Sequence, residues 1–213
     1  FSMGYTNKFK ANLIASTNYF DLTSYVVKKV DTISTQQQTK KIKQASNQSN
    51  FEFDVTLAAK KLLIRKVEAK DAAIDLHYKG KLMTLNSLSV NTCEGNLQGK
   101  GTIFDLHKIE AEIKTEDINV TKLFEQFENF GQKAIISENL KGNIFLNAKI
   151  KMDLDEKMEV IGKTIQGNVQ LKLKDGHLIN YEPLQKMSDF IFRNRDFNDI
   201  AFTEINETFY IDG

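Results

Sequence analysis

The chain has 213 residues, of which 41% are hydrophobic, and its 29 basic and 28 acidic residues leave a formal net charge of +1. This length allows one elongated domain or two small ones, and the balanced charge gives no broad positive field for nucleic acid. Cys93 is the single cysteine, which excludes an internal disulfide and a metal site made of several cysteines. No run of about 18 apolar residues predicts a membrane-spanning helix. Because the chain starts at Phe1 and ends on a strand-like run, we expect a segment of a longer protein.

Residues 1–50 predict an N-terminal portion with a weak strand at 5–14 and a helix or irregular cap at 17–30. The stretch 32–50 is rich in Gln, Ser, Thr, Asn and Lys and has few apolar side chains. Such a composition buries too little apolar surface to hold a packed structure, so we expect a polar, variable surface loop there.

Residues 51–213 predict a β-sheet region because apolar and polar residues alternate along it. The alternating apolar residues are Phe51, Phe53, Val55 and Leu57, then Ile109, Ala111 and Ile113, then Ile144, Leu146, Ala148, Ile150 and Met152, and finally Val169, Leu171 and Leu173. Weaker strands are predicted at 62–68, 72–78, 82–92, 97–105 and 201–211. Successive side chains of a strand point to opposite faces, so the pattern indicates an antiparallel sheet with one apolar face.

Short turns marked by glycine predict the connections between these strands. Gly80, Gly95, Gly142, Gly167 and the pair Asp175-Gly176 each separate two candidate strands. A tight hairpin turn needs positive φ, which glycine adopts readily, and we expect it at Gly176. Strands adjacent in sequence are then adjacent in space, which gives a mainly β fold: a twisted, curved antiparallel meander.

Two amphipathic helices are predicted to flank this sheet. In 119–134 apolar residues recur at spacings of three and four, with Thr121 near the helix start. These residues are Val120, Leu123, Phe124, Phe127 and Phe130. The second helix begins near Pro183, which suits a first helical turn, and its apolar residues are Leu184, Met187, Ile191 and Phe192.

The sequence offers little support for catalysis or metal binding. His77, His107 and His177 lie far apart and lack the close spacing of zinc ligands. Asp153 and Asp155 are not followed by the glycine and glutamate of a calcium loop. We therefore predict no enzyme, no cofactor and no metal site. The alternative is a hydrolase, which requires these histidines to meet scattered carboxylates in a pocket.

The order of several motifs resembles the C-terminal region of AsmA-like proteins. The motifs are residues 82–101 with the stretch Gly95-Asn96-Leu97-Gln98-Gly99-Lys100-Gly101, the helix at 120–130, the strand at 140–149, and residues 165–184 with Asp175-Gly176 and Glu182-Pro183-Leu184. The resemblance covers 51–213. It implies a periplasmic protein of Gram-negative bacteria, tethered to the inner membrane by a helix outside this chain, that takes part in outer-membrane assembly and envelope lipid balance.

AsmA-like proteins are similar to bridge-like lipid transfer proteins, whose curved sheets form a long apolar groove. The resemblance therefore implies that the chain binds or transfers phospholipid or another lipid with acyl chains. We expect the groove to be lined by Phe53, Val55, Leu146, Ala148, Val169 and Leu171. Two alternatives stay open: the apolar face is a closed core, or the chain is a scaffold or chaperone-like partner of outer-membrane proteins that carries no lipid.

Overall fold

The computed structural model describes residues 8–21, 23, 50–64, 66–156, 159–191 and 197–213. They form one open, curved sheet of nine strands, which confirms the predicted mainly β fold. The strands are β1 (Lys8–Asp21), β2 (Asn50–Ile64), β3 (Val67–Lys79), β4 (Leu82–Thr92), β5 (Gly95–Phe104), β6 (Lys108–Asn119), β7 (Leu140–Asp153), β8 (Gln166–Ile179) and β9 (Asp199–Asp212). Two α-helices are present among these residues, α1 (Val120–Gln126) and α2 (Glu182–Ile191).

The strand order in the sheet is the order in the sequence, from β1 to β9. Every pair from β2 to β9 is antiparallel, as predicted for a meander, whereas β1 pairs with β2 in parallel. The sheet is therefore mixed. Residues 17–21 belong to β1 and not to the predicted helix or cap, and of the rest of that segment only Thr23 is among the described residues. The predicted loop 32–50 also lies outside them, apart from Asn50, which begins β2.

The cross-strand register gathers the apolar residues on one face. One row of directly paired residues runs through Val55, Leu76, Leu85, Gly101, Ala111, Ile150, Gly167 and Ile211. The residues between these on each strand are mostly charged or amide-bearing and lie on the other face. We call the two sides the apolar face and the polar face.

The described residues form a single layer without a closed core. None of their side chains is completely removed from solvent. The main buried cluster is small and lies on β2, β3 and β4; it consists of Ala59, Leu62, Ala69, Ala72 and Val90. Helix α1 packs on the sheet and contacts β6 and β7. Its N-cap is Asn119, whose Oδ1 accepts from the amide of Lys122 at 3.1 Å, and not Thr121.

Four β-bulges interrupt the register, and three of them contain an aspartate with positive φ. These are Asp71 on β3, Asp117 on β6 and Asp175 on β8, with φ of 51°, 59° and 48°. The fourth bulge is at Asn86 and Ser87 on β4. A bulge adds one residue to one strand and increases the local twist. The apolar alternation consequently changes from odd to even positions along these strands.

The predicted turn at Asp175-Gly176 is wrong. Strand β8 continues through both residues, and the positive φ belongs to Asp175 and not to Gly176. Gly142 and Gly167 likewise lie inside strands, β7 and β8. An Asp-Gly pair fits a bulge as well as a hairpin turn, because both can place a residue at positive φ.

Other predicted boundaries also shift. Gly80 does lie in the β3–β4 turn, with φ of 62°, whereas the β4–β5 turn is made by Cys93 and Glu94. The predicted strand at 62–68 is instead the end of β2, a turn and the start of β3. Helix α2 includes Pro183 in its first turn, as predicted.

Candidate functional site

The structure places the six predicted groove residues on the apolar face. Leu146 lies directly opposite Leu171, and Ala148 lies opposite Val169, across the pair β7–β8. Phe53 and Val55 lie on β2, five strand spacings away from β7, which is roughly 24 Å at about 4.8 Å per spacing. The six residues therefore form two groups on one face and not a single cluster.

Further apolar residues on β3 to β6 connect these two groups. Phe53 stacks on Tyr78 with ring centroids 4.7 Å apart, and Ala148 pairs with Ile113. Ala148 is only 4% exposed, because its small side chain lies between larger neighbours. Ile74, Leu76 and Tyr78 on β3 also belong to this face, and the bulge at Asp71 places them out of phase with Ala69 earlier on the same strand.

Several polar side chains interrupt the apolar face, among them Thr92 opposite Ala69 on β3. Glu207 on β9 lies opposite Leu171, and Thr115 on β6 lies opposite Leu146. The hydroxyl of Thr115 is buried and has no hydrogen-bond partner within the part of the chain that the structure describes. An unpaired buried hydroxyl is unfavourable, so this point of the face is suited to a neighbour that brings a hydrogen-bonding group.

The polar face carries two adjoining cavities of about 630 and 550 Å³ over β4 to β8. Both are lined by Asn86, Lys100, Glu112 and Lys149, so they form one continuous trough. Ala148 also lines the trough, although its side chain lies on the apolar face. It contributes main-chain atoms, because successive side chains of a strand point to opposite faces. The sheet is thus concave toward its polar face at the central strands. The sequence predicted a curved sheet, but it placed the groove on the apolar face.

An ion-pair row crosses this trough. Glu112 contacts Lys100 at 3.1 Å and Lys149 at 3.2 Å, and the parallel row pairs Glu110 with Lys151 at 2.8 Å. Hydrogen bonds from Lys100 and then Lys149 hold the pKa of Glu112 below its ordinary value. The walls of the trough are therefore charged, which disfavours the binding of acyl chains there.

The three histidines do not come together. His77 contacts Asp54 at 2.6 Å on β3 and β2, and His177 contacts Asp199 at 2.7 Å on β8 and β9. His107 lies in the β5–β6 turn and contacts the carbonyl oxygen of Leu154 at 3.3 Å. None of the three lines either of these two cavities.

Within the described ranges, no group of three or more His, Cys, Asp or Glu side chains is arranged to hold a metal ion. Cys93 is buried, and desolvation raises the pKa of its thiol, which disfavours the reactive thiolate. Neither helix of the described residues has the length and apolar character needed to cross a bilayer.

No family model, curated protein or solved structure matches this chain.

Proposed function

We propose that this chain shields the acyl chains of lipids on the apolar face of its sheet, as a periplasmic segment of an AsmA-like protein of the cell envelope. One observation carries the proposal: the apolar face has no second layer of structure over most of its area among the described residues. The proposed cellular setting rests on the resemblance described above, and the register of the nine strands supports the choice of surface.

The size of the face supports an apolar ligand. Nine strands have eight spacings, which at about 4.8 Å each give a width of about 38 Å. The strands have 10 to 15 residues, so the face is well over about 1,000 Å² at roughly 3.3 Å per residue. A soluble monomer usually exposes apolar patches no larger than roughly 300–600 Å². A larger apolar face is typical of a surface that binds an apolar partner.

The energetics of lipid transfer also suit an open face. Moving about 15 methylene groups into water costs roughly 12 kcal/mol, at about 0.8 kcal/mol each. This corresponds to a factor of about a billion in population. A surface that only keeps the chain out of water removes most of this barrier without binding the lipid tightly.

Native mass spectrometry of the purified chain, followed by titration with a pyrene-labelled phosphatidylethanolamine, tests the proposal. We expect phospholipid to co-purify and the labelled lipid to bind saturably. A chain that carries no lipid and binds none of the labelled phospholipid excludes the proposal.

A scaffold or chaperone-like partner of outer-membrane proteins is the second candidate, and the segment after α1 favours it. Phe127 and Phe130 are stacked with centroids 5.4 Å apart, yet they are 44% and 55% exposed. Exposed aromatic side chains are common at protein interfaces. This candidate predicts a lipid-free chain that delays aggregation of an unfolded outer-membrane protein, with the delay lost in Phe127→Ser and Phe130→Ser.

A further inference from the structure

The two edge strands of the sheet have unpaired outer edges in the part of the chain that the structure describes. Strands β1 and β9 each have 14 residues. Strand β9 keeps an unbroken register with β8 from Asp212 to Asp199, and its sequence contains no lysine, proline or glycine. Lysines, prolines and bulges are common protection of an edge and are absent from β9, whose charged residues are all acidic; β9 is therefore open to a strand that carries basic residues.

The directions of the two edge strands suit each other. Strand β1 runs parallel to β2, and each of the seven steps from β2 to β9 reverses the direction. Strands β1 and β9 therefore run in opposite directions. A second copy placed beside β9 in the same orientation presents its own β1 antiparallel to β9, with its apolar face on the same side.

The face pattern of the two strands also matches. When the two strands overlap over their full length, Phe9 lies opposite Ile211, Ala11 opposite Phe209, and Ala15 opposite Ile205. All six residues belong to the apolar face, as their partners on β2 and β8 establish. Beyond Ala15 and Ile205 both strands change their alternation, so that Phe20 lies opposite Ile200. Each apolar residue in these pairs meets another on the same face, and the exceptions in the overlap are Leu13 opposite Glu207 and Phe202 opposite Asn18.

Charge favours this pairing over two copies of β9. Strand β9 contains Asp199, Glu204, Glu207 and Asp212 and no basic residue. Pairing β9 with itself would place acidic residues against acidic residues, which is unfavourable in adjacent strands. The sequence of β1 contains two lysines and one aspartate, and Lys10 lies diagonally from Asp212 in the full overlap. Asp21 and Asp199 form the one like-charge pair, at the end of the overlap.

We propose that β9 of one copy pairs antiparallel with β1 of a second copy, so that the sheet and its apolar face continue from copy to copy. The contact is heterologous: it uses two different edges and leaves the outer β1 and β9 free for further copies. Such contacts produce open chains unless the rotation closes a ring. The proposal does not depend on what the apolar face carries.

Sedimentation velocity over a wide range of concentration tests association. We expect the weight-average mass to rise with concentration beyond that of a dimer. Tyr210 is 80% exposed and lies opposite Lys10 in the full overlap. Tyr210→Lys should therefore weaken association roughly two- to fivefold and Tyr210→Glu should strengthen it by a similar factor, since opposed charges in adjacent strands contribute on this scale. Both variants should melt like the parent chain, which excludes misfolding as the cause.

Cross-linking identifies the edges that meet. Ile14, which is 75% exposed, lies opposite Asn206 in the full overlap, and opposed Cα atoms about 4.5–5.5 Å apart are suited to a disulfide. A mixture of Ile14→Cys and Asn206→Cys copies should form disulfide-linked heterodimers, while Cys93 stays buried. A chain that is monomeric at every concentration overturns the proposal. Cross-linking of Asn206→Cys copies alone, with none to Ile14→Cys, also overturns it, because that result identifies pairing of β9 with itself.

Discussion

Gly142 and Gly176 approach so closely that a Cβ atom on Gly142 would lie 2.9 Å from the Cα of Gly176. Gly142 also has φ of 121°, a conformation that L side chains rarely adopt. The cause is the bulge on β8, where Asp175 and Gly176 together face the single residue Gly142. Glycine is required at this position of β7 for both reasons.

We expect Gly142→Ala to destabilise the chain by about 2 kcal/mol or more, since backbone strain and a contact with main-chain atoms act together. Gly80→Ala is the matched control. Gly80 has φ of 62°, but a Cβ there meets nothing within 4 Å, so its effect should be about 1 kcal/mol. Urea denaturation of the two variants measures the difference. Equal effects would show that the contact with β8 contributes nothing.

The β5–β6 turn contains a residue type that is unfavourable for its backbone conformation. Asp105 and Leu106 both have positive φ, and the amide of His107 donates to the carbonyl oxygen of Phe104 at 3.0 Å. Type I′ turns of this kind favour Asp-Gly, whereas Leu106 is a half-exposed leucine with φ of 59°. We expect Leu106→Gly to raise the free energy of unfolding by about 0.5–1 kcal/mol.

Glu94→Gly provides the comparison for that prediction. Glu94 occupies the β4–β5 turn with φ of 65°, so glycine relieves the same strain. Its carboxylate, however, pairs with Lys122 and accepts from Asn119 at 2.9 Å, and these contacts are lost. The gain in thermal stability should therefore be smaller than in Leu106→Gly. A loss of stability in Leu106→Gly would contradict the argument.

The regular strands could be predicted from the sequence, because alternation was visible where no bulge interrupts it. The alternation from Ile109 to Ile113 and from Ile144 to Met152 predicted β6 and β7, and the apolar residues of both strands do lie on one face. On β3 the bulge at Asp71 separates Ala69, at an odd position, from Ile74, at an even position, although both lie on the apolar face. A single two-residue alternation therefore does not describe the whole strand. The parallel pairing of β1 with β2 was not predictable, since alternation carries no information on strand direction.

The candidate site was predictable only as a set of residues on one face. The register of β7 and β8 makes Ala148 and Val169 neighbours. This register depends on bulges in several strands, which the sequence does not reveal. The trough around Glu112 depends on the curvature of the sheet, and curvature arises from twist and bulges that have no simple signature in the sequence.

The ion pairs of Glu112 predict a pH effect. Lys100 and Lys149 hold the pKa of this carboxyl below its ordinary value of about 4.5. A lowered pKa means that the pairs stabilise the fold above the ordinary value and lose their effect as the pH falls through the folded value. Lys100→Gln and Lys149→Gln should each raise the pKa of Glu112, measured by carboxyl-carbon NMR. The melting temperatures of the parent chain and Glu112→Gln should converge as the pH falls below about 4. A pKa of Glu112 that neither lysine variant changes would contradict the assignment.

The proposed lipid face is tested most directly by two substitutions on adjacent residues of β8. Val169 lies on the apolar face between Ala148 and Phe209, whereas Asn168 lies on the polar face beside the trough. Val169→Asp and Asn168→Asp introduce the same carboxylate on opposite sides of one strand. We expect Val169→Asp to reduce bound phospholipid strongly and Asn168→Asp to leave it unchanged, because only the first places a charge against acyl chains.

Stability separates an open face from a closed core. On an open face the new carboxylate of Val169→Asp keeps part of its hydration when lipid is absent, so the lipid-free chain should stay folded and lose about 1–3 kcal/mol. In a closed core the unpaired charge would be fully buried and the chain would unfold. Circular dichroism of the delipidated variant, together with phospholipid quantified by mass spectrometry, gives both quantities. A folded Val169→Asp chain with the lipid content of the parent would exclude β8 from the lipid-binding face.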